Sequence, residues 1–309
     1  MPTHDELNVS PDVPLGPWPG STLPAEASLG LPVFPSRPEA LAPARRSIAL
    51  PPGARRLRVL GVPITDMRFD AAVAFVSALL EDEPPAPRTL YFANAHTLNL
   101  AYENAAYRAV LNRADYVLGD GTGVRCAARR QGVRLQDNLN GTDLVPAVLE
   151  HNAGRRFRYY LLGTTTEVME RTAQQARQLF PGWQLAGYHH GFLNEMNEAE
   201  VIAEINRSHP QLLLVAMGNP LQEMWIDRNR QRLRARLCMG VGALADRWAG
   251  DLIRAPLWVR QLGCEWLDIL RRQPHKWQRY LIGNPKFLYR VWRDREPAPT
   301  GRQTAPFRP

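Results

Sequence analysis

The 309-residue sequence is poor in cysteine, and Cys126, Cys238 and Cys264 are widely separated with no C-x-x-C pair. Disulfide scaffolds and structural zinc sites use closely spaced cysteines, so both are disfavoured and a reducing environment is expected. No uninterrupted apolar run reaches about 18 residues, so no membrane-spanning helix is expected. The N-terminal Met-Pro-Thr-His-Asp-Glu has neither a basic start nor an apolar core and is not expected to be a signal peptide.

Several nucleotide-binding motifs are missing as well. No G-x-G-x-x-G follows the first predicted strand and no G-x-x-x-x-G-K-[ST] occurs, which disfavours dinucleotide-binding and P-loop proteins. There is no D-x-D pair, the usual device for holding a divalent ion on a nucleotide-sugar diphosphate. We therefore expect no cofactor and no metal, and we expect backbone N–H groups and basic side chains to stabilise any leaving phosphate.

The composition divides the chain into four parts. Residues 1–53 hold 12 of the 27 prolines and have no periodic apolar pattern, so they are predicted to be a disordered tail. Strands, glycine turns and helices alternate over residues 54–250, which predicts a doubly wound, Rossmann-like, mostly parallel α/β domain. Residues 251–295 are predicted to form a basic helical appendage, and residues 296–309 a second disordered tail.

One glycine-rich turn is the leading candidate for chemistry. Gly119-Asp-Gly-Thr-Gly follows an apolar strand that ends at Leu118, and an alanine-rich helix is predicted after it. Glycine lets the backbone approach a ligand closely, and a helix N-terminus offers N–H groups to an anion. Asp120 is therefore suited to take a proton from an incoming hydroxyl while a phosphate leaves. A helix cap, a phosphoacceptor and a metal ligand stay open as alternatives for this residue.

Polar groups also follow several other predicted strands. The carboxyl ends of parallel strands share one edge of the sheet, where ligands bind in this architecture. The groups expected to converge there are Asn94, Asp120, Gly163 with the threonines after it, Gly218, Gln222 and Asp246. A role as a cap or turn is the alternative for each of them taken singly.

The C-terminal segment carries most of the net charge of +8, with nine Arg or Lys and two acidic residues between Arg254 and Arg293. Within it, Trp258, Leu262, Trp266 and Leu270 recur every fourth residue and so share one helix face. A basic amphipathic helix with tryptophans is typical of binding to an anionic membrane surface. Packing onto the core is the alternative. Nucleic acid is the rival partner, since basic and aromatic residues also suit phosphate contacts and base stacking. It ranks below the membrane because the tryptophans follow helical periodicity with leucine and isoleucine, and no nucleic acid is expected.

A series of motifs occurs in order between about Leu57 and Arg293. It begins with Asn94-Ala, Gly119-Asp-Gly-Thr-Gly-Val, Gly141-Thr-Asp, Leu161-Leu-Gly and His189-His-Gly-Phe. It continues with Met217-Gly-Asn-Pro-Leu-Gln-Glu-Met-Trp, Gly240-Val-Gly-Ala, Ala249-Gly, Arg254-Ala-Pro and Glu265-Trp-Leu. In this series the chain resembles the WecG/TagA/CpsF family of bacterial glycosyltransferases. The resemblance implies inverting transfer of a sugar from a UDP-sugar to a polyprenyl-diphosphate-linked saccharide in cell-surface or exopolysaccharide biosynthesis.

The resemblance also implies roles for individual residues. Asp120 corresponds to the catalytic base, and Asp246 lies at the nucleotide. Gln222 is a catalytic residue of the active site and, with Asn94, is expected to hold sugar hydroxyls. The other implied substrate-binding residues are Asn94, His96, Asn138, Thr142, Gly163, His190, Gly218, Asn219 and Gly242. The C-terminal arginines are implied to complete the site and touch the membrane, and the candidates are Arg254, Arg260, Arg271 and Arg272.

Two positions depart from the family pattern. Asn138 stands where some members carry an active-site arginine, so either a tail arginine supplies that cation or the donor differs. His96 stands where many members have an acidic residue, and sugar binding, a second base and simple packing are all open for it. UDP-N-acetylmannosamine, its uronic acid and UDP-glucose all stay open as donors.

The expected location is the inner face of the bacterial inner membrane, as a cytoplasmic, peripheral protein, and a homo-oligomer is an open expectation. The alternative function is a non-catalytic, membrane-associated factor in polysaccharide assembly that keeps the fold. Retention of Asp120 and Gln222 argues against that alternative, and turnover of a UDP-sugar distinguishes the two.

Overall fold

A computed structural model describes residues 48–251 and 277–294 of the chain. Within these ranges eight strands form one sheet, in the order β1-β2-β4-β3-β8-β7-β5-β6. Only the β1–β2 pair among them is antiparallel. The predicted mostly parallel α/β sheet is confirmed. The strands are β1 Arg55–Val59, β2 Val62–Asp66, β3 Arg88–Ala93, β4 Tyr116–Gly119, β5 Arg158–Gly163, β6 Gln184–His189, β7 Leu212–Ala216 and β8 Leu237–Gly240.

Helices cover both faces of this sheet. One face carries α2, α3, α4, α7, α8 and α10, and the other carries α1, α5, α6 and α9. The helices are α1 Phe69–Glu81, α2 Ala95–Glu103, α3 Ala105–Arg113, α4 Gly121–Arg130, α5 Gly141–His151, α6 Thr166–Leu179, α7 Glu198–Arg207, α8 Leu221–Asn229, α9 Leu244–Trp248 and α10 Gly283–Arg293. A π-helical turn, Gln278–Ile282, leads into α10. In the described parts of the chain, no helix combines the length and apolarity needed to cross a membrane.

The central strands are buried along their whole length. All six residues of β3 and all five of β7 are buried, and β7 reads Leu-Leu-Leu-Val-Ala. Strands of a parallel sheet are covered by helices on both faces, so a continuous apolar run is favourable there. This covering leaves the carboxyl edge of the sheet as the place where polar groups gather.

Two elements differ from their predicted form. The single strand predicted from Leu57 to Val62 is a hairpin, because Leu60 and Gly61 have φ values of 50° and 78° and reverse the chain. The single helix predicted from Leu98 to Asn112 is two helices. Asn104 lies between them in an extended conformation, and its side chain caps α3 by accepting a hydrogen bond from the Tyr107 N–H at 2.9 Å.

The described termini both contact the core. Ile48 and Leu50 fall in the predicted N-terminal tail, but they pack against the core on the α1 face of the sheet. At the other end, Phe287 and Val291 of α10 are buried in the core on the opposite face. Residues 1–47, 252–276 and 295–309, including the predicted helix from Trp258 to Leu270, lie outside the described residues.

Candidate active site

Asp120 lies beside Asn94 at the carboxyl edge of the sheet. Ala93 and Gly119 pair in register at the ends of β3 and β4, and the Asp120 N–H donates to the Ala93 carbonyl at 2.9 Å. Asn94 and Asp120 are each followed at once by a helix, α2 and α4 respectively. Two helix N-termini, with their partial positive charge, therefore flank the Asp120 carboxylate, and this is a favourable place for an anionic ligand.

The two neighbouring polar residues behave differently toward their helices. The Asn94 Oδ1 accepts hydrogen bonds from the N–H groups of His96 at 3.0 Å and Thr97 at 3.1 Å, so it is the N-cap of α2. Asp120 holds the equivalent position before α4, but its carboxylate makes no capping hydrogen bond to that helix. Helix capping therefore explains the role of the Asn94 oxygen, but it does not explain the presence of the Asp120 carboxylate.

The loop between α4 and α5 holds the Asp120 turn from the side. The Gly121 N–H donates to the Asn138 Oδ1 at 2.7 Å, and the Leu139 N–H donates to the Gly119 carbonyl at 3.2 Å. Gly121 has a φ of 86°, which favours glycine. Asn138 thus holds the turn through its oxygen.

A buried acid that sequence reasoning missed anchors the same loop. Asp66, at the end of β2 and 2% exposed, accepts from the Gln136 N–H at 3.0 Å and from the Arg55 Nε at 2.7 Å. The sequence feature that could identify Asp66 is its position at the end of a strand. The sequence pattern does not predict β2 as a separate strand, so this position is not evident from the sequence. Asp66 supports the loop that carries Asn138.

Thr142 belongs to the cap of α5. Its hydroxyl donates to the Asn140 Oδ1 at 2.7 Å, and the same oxygen accepts from the Asp143 N–H at 2.9 Å. The Asn140 Nδ2 in turn donates to the Asp143 carboxylate at 2.8 Å. The Thr142 hydroxyl is therefore committed as a donor, and it can serve a substrate only as an acceptor.

Three glycine turns form the other half of the edge. Gly163 ends β5 with a φ of 147°, and a Cβ placed on it would lie 2.4 Å from the Ala216 carbonyl carbon, so only glycine fits there. Gly218 follows β7 with a φ of 78°, and Gly242 follows β8 with a φ of 51°. A glycine therefore lies at or just after the carboxyl end of each of β5, β7 and β8.

Gln222 ties two of these turns together from beneath. Its Oε1 accepts hydrogen bonds from the Gly218 N–H at 3.2 Å and the Gly242 N–H at 3.0 Å. Its Nε2 donates to the Glu223 carboxylate at 2.7 Å, and the side chain is only 2% exposed. The described geometry thus gives Gln222 a bridging position under the turns, rather than one that projects into solvent.

Glu223 is a second buried acid that sequence reasoning missed. Its carboxylate accepts hydrogen bonds from Gln222, from the Asn219 Nδ2 at 2.7 Å and from the Tyr107 hydroxyl at 3.1 Å. Burial raises the pKa of Glu223 to about 7, although these hydrogen bonds act in the opposite direction. The sequence feature that could identify Glu223 is its position directly after Gln222 in the Asn219-Pro-Leu-Gln-Glu motif.

The predicted residues do not all meet at one point. His190 follows β6, which is five positions from β4 in the sheet, a separation of about 24 Å at the usual strand spacing. The His190 Nδ1 accepts from the Phe192 N–H at 3.2 Å, and burial, with the neighbouring His189, lowers the pKa of His190. His190 thus lies far from Asp120, while Asp246, on α9 after β8, lies on the central part of the edge.

Helix α10 reaches the Asp120 end of the edge. A Cβ on Gly123 would lie 2.9 Å from the Ala95 Cβ and 3.3 Å from a ring carbon of Phe287, so α2, α4 and α10 meet there. Lys286 and Arg290 each lie 2.7 Å from the Glu103 carboxylate and hold α10 against α2. The four arginines predicted to serve the diphosphate or the membrane, Arg254, Arg260, Arg271 and Arg272, lie outside the described residues.

Residues 57–300 match a family model described as the glycosyl transferase WecG/TagA/CpsF family. An N-acetylglucosaminyldiphosphoundecaprenol N-acetyl-beta-D-mannosaminyltransferase of Bacillus spizizenii strain W23 is 31% identical over 191 residues, which are 62% of this chain and 73% of that protein. A protein of the same name from Staphylococcus aureus strain MW2 is 29% identical over 238 residues, 76% of this chain and 92% of that protein. Within residues 48–251 and 277–294, no group of three or more His, Cys, Asp or Glu side chains is arranged to hold a metal ion.

Proposed function

The chain belongs to the WecG/TagA/CpsF family and is a glycosyltransferase, and we propose that it transfers an N-acetylmannosamine-type sugar from a UDP-sugar, with inversion, to a polyprenyl-diphosphate-linked saccharide. The position of Asp120 carries this proposal, because it places a carboxylate at a strand end between two helix N-termini. The names of the relatives, which specify an N-acetylmannosaminyl group and a diphosphoundecaprenol-linked sugar, support the choice of donor sugar and acceptor.

In the proposed reaction Asp120 is the general base. It takes the proton of the acceptor hydroxyl as that oxygen bonds to the anomeric carbon of the donor, and the bond from this carbon to the diphosphate oxygen breaks. UDP leaves from the face opposite to the attacking oxygen, so the anomeric configuration inverts. Negative charge that develops on the diphosphate is favoured near the N-termini of α2 and α4.

We assign the two halves of the edge to the two ends of the donor. Asn94, His96, Asn138 and Thr142 lie at the Asp120 end, where the transferred sugar and the acceptor would bind. The nucleotide would lie along the β8, β7 and β5 turns, and the residues proposed to line it are Gly163, His190, Gly218, Asn219, Gly242 and Asp246. The β4 and β7 strand ends are three positions apart, or about 14 Å, a span that a sugar joined to a nucleoside by a diphosphate can cover.

The C-terminal segment is the proposed membrane contact. In the described part of this segment, several large apolar side chains are exposed to solvent. Basic residues such as Arg279 and Arg293 are near them in the sequence. The exposed apolar side chains are Trp277, Leu281, Ile282, Leu288, Tyr289 and Trp292, each between 46% and 65% exposed. Such a surface suits the interface of an anionic membrane, and α10 adjoins the helices that flank Asp120. A lipid-linked acceptor held there would be delivered to the base on the cytoplasmic face.

The direct test supplies the purified full chain with UDP-N-acetylmannosamine and a polyprenyl-diphosphate-linked N-acetylglucosamine. We expect release of UDP together with a disaccharide product whose new linkage, assigned by NMR, has the inverted anomeric configuration. UDP-glucose and the uronic acid donor, offered separately, should turn over more slowly. Absence of UDP release with every donor would favour the non-catalytic assembly factor instead.

A further inference from the structure

A buried polar cluster lies beneath the Gly218 and Gly242 turns. At its centre is Glu223, which is fully buried, and its Oε1 accepts hydrogen bonds from the Gln222 Nε2 and the Asn219 Nδ2, each at 2.7 Å. Its Oε2 accepts from the Tyr107 hydroxyl at 3.1 Å. The helices α3 and α8 therefore meet through one carboxylate directly behind the proposed donor site.

This carboxylate determines which way the Gln222 amide points. A glutamine side chain has a donor end and an acceptor end, and only its oxygen can receive the Gly218 and Gly242 N–H groups. Because Glu223 accepts from the Gln222 Nε2, the oxygen is held toward the two glycine turns. A rotated amide would place its NH₂ group against two N–H donors and leave the carboxylate without that partner.

We propose that Glu223 is a positioning residue of the glycosyltransferase site. Its ionised carboxylate holds Gln222 and Asn219, and through them the Gly218 and Gly242 turns, in the geometry that binds the donor. Protonation of Glu223 loosens both turns. The inference rests on the proposed function, because that proposal takes these turns as part of the donor site.

The hydrogen bonds explain why the charge state matters. Each of the three neighbouring groups donates to the carboxylate, and bonds to a charged acceptor are stronger than bonds to a neutral one. When an oxygen of Glu223 takes a proton it becomes a donor, and it then faces Gln222, Asn219 or Tyr107, all of which were donating. At least one of the three bonds must therefore rearrange.

The surrounding groups leave Glu223 as the one that titrates near neutral pH. Burial raises the pKa of Tyr107 on α3, of Tyr91 on β3 and of the Cys238 thiol on β8, so these groups stay uncharged. Asp227, one turn further along α8, pairs with Arg113 at 2.6 Å. The pKa of about 7 for Glu223 places its change of charge in the range where an enzyme assay can observe it.

The test follows the two glycine amides directly in the ¹⁵N-glycine-labelled full chain between about pH 5.5 and 8.5. Carbonyl-¹³C valine identifies Gly242, since Val241-Gly242 is the one Val-Gly pair in the sequence, and carbonyl-¹³C methionine identifies Gly218 and Gly240. Replacing Met239 by Leu removes the Gly240 signal from that pair. We expect the Gly218 and Gly242 shifts to titrate with one shared midpoint near pH 7, and Glu223→Gln to abolish this titration.

The same variant is then measured in the transfer assay. In the wild-type chain kcat should fall with the glycine midpoint as the pH is lowered. Glu223→Gln should lose this step in the pH profile and have a kcat about tenfold lower at pH 8, the effect of one charge-assisted hydrogen bond. Glu204→Gln is the matched control, because Glu204 also accepts from a tyrosine, Tyr160, at 2.7 Å but touches neither turn. It should leave both measurements unchanged.

A second variant keeps the test decisive if Glu223→Gln does not fold. Tyr107→Phe removes a donor that favours the charged form, so the glycine midpoint should move to higher pH. A midpoint that does not move, or a titration that persists in Glu223→Gln, overturns the inference. If the glycines titrate as expected but no UDP-sugar turns over, the proposed function fails while the coupling of Glu223 to the turns stands.

Discussion

At the scale of single residues, two residues that follow neighbouring strands at equivalent positions have different roles. Asn94 and Asp120 each follow a strand and precede a helix, yet the Asn94 oxygen caps its helix and the Asp120 carboxylate does not. Gln222, expected to hold sugar hydroxyls, has its amide oxygen committed to two backbone N–H groups. Motif position alone therefore locates a residue near the site without saying which of its atoms remain available to a substrate.

The raised pKa of Glu223 predicts a pH-dependent cost in stability. The folded chain keeps this proton up to about pH 7, whereas the unfolded chain releases it near the ordinary value of 4.5. Because the folded state binds more protons in this window, the contribution of Glu223 to stability falls as the pH rises through it. Between pH 4.5 and 8, the free energy of unfolding of the wild type should fall by about 3 kcal/mol relative to Glu223→Gln. Urea unfolding at both pH values measures this, and an unchanged difference would contradict the assigned pKa.

A metal-independent reaction is expected from the lack of a D-x-D pair. Transfer measured in excess EDTA should proceed at nearly the rate found without it, because backbone N–H groups and basic side chains are expected to stabilise the leaving diphosphate. Loss of transfer in EDTA, with recovery on adding Mg²⁺ or Mn²⁺, would show that a divalent ion takes part.

At the scale of secondary-structure elements, α10 is the described part of the C-terminal segment that contacts the helices beside Asp120. Its Phe287 is 1% exposed and packs where α2 and α4 approach each other beside Asp120. The Arg130 guanidinium of α4 also donates to the Val291 carbonyl at 3.1 Å and to the Trp292 carbonyl at 2.7 Å. The α10 helix is therefore held on the helices whose N-termini form the proposed anion site.

Truncating Phe287 should release α10. Phe287→Ala removes a buried ring, a change that typically costs about 3–5 kcal/mol, and the loss should fall on the docking of this helix. Amide hydrogen exchange should speed up across α10, and transfer should slow because α2 and α4 lose their support. Leu288→Ala is the matched control for the hydrogen-exchange measurement, since Leu288 is 48% exposed and such a change usually costs less than about 0.5 kcal/mol. Equal effects of the two substitutions would contradict the assigned packing.

The elements show where local sequence pattern is informative. Apolar runs such as Leu212–Ala216 predicted the buried strands, because both faces of a parallel strand are covered. The β1–β2 hairpin was missed since its short turn, Leu60-Gly61, lies inside one apolar run. The break between α2 and α3 was missed because Asn104 caps a helix within a stretch that has continuous helical periodicity.

At the scale of the whole molecule, sheet order decides which strand ends meet. The sequence pattern predicted that polar groups gather at one edge, and Asn94, Asp120 and Gly218 come directly or two residues after β3, β4 and β7. The sequence pattern did not predict that β6 lies five positions from β4, because strand order depends on pairing between distant segments. The separation of His190 from Asp120, and the burial of Glu223 behind two turns from different strands, follow from that order.

The basic C-terminal segment predicts attachment of the whole chain to anionic membranes. Each Lys or Arg close to an anionic surface contributes about 1 kcal/mol, and exposed aromatic side chains add a component that salt screens poorly. The full chain should sediment with anionic liposomes more strongly than with neutral ones, and high salt should release part of it. Replacing Arg271 and Arg272 with Glu should weaken sedimentation with these liposomes. Truncation after Gly250 should abolish sedimentation and strongly reduce the rate of transfer.

Two results would contradict this attachment. Sedimentation of the truncated chain at the level of the full chain would place the membrane surface elsewhere in the molecule. A full chain that ignores anionic liposomes but binds single-stranded nucleic acid tightly would assign the basic segment to a different partner.

The most direct measurement compares Asp120→Asn with Asp137→Asn in the transfer assay. Asp137 is a matched control because it is exposed and accepts from the Phe69 N–H at 2.7 Å, outside the strand ends. Removing a general base typically costs about 10²–10⁴-fold, so Asp120→Asn should lower kcat by that order while donor binding stays nearly intact, and Asp137→Asn should keep wild-type turnover. Wild-type turnover in Asp120→Asn would contradict the assignment of Asp120 as the base.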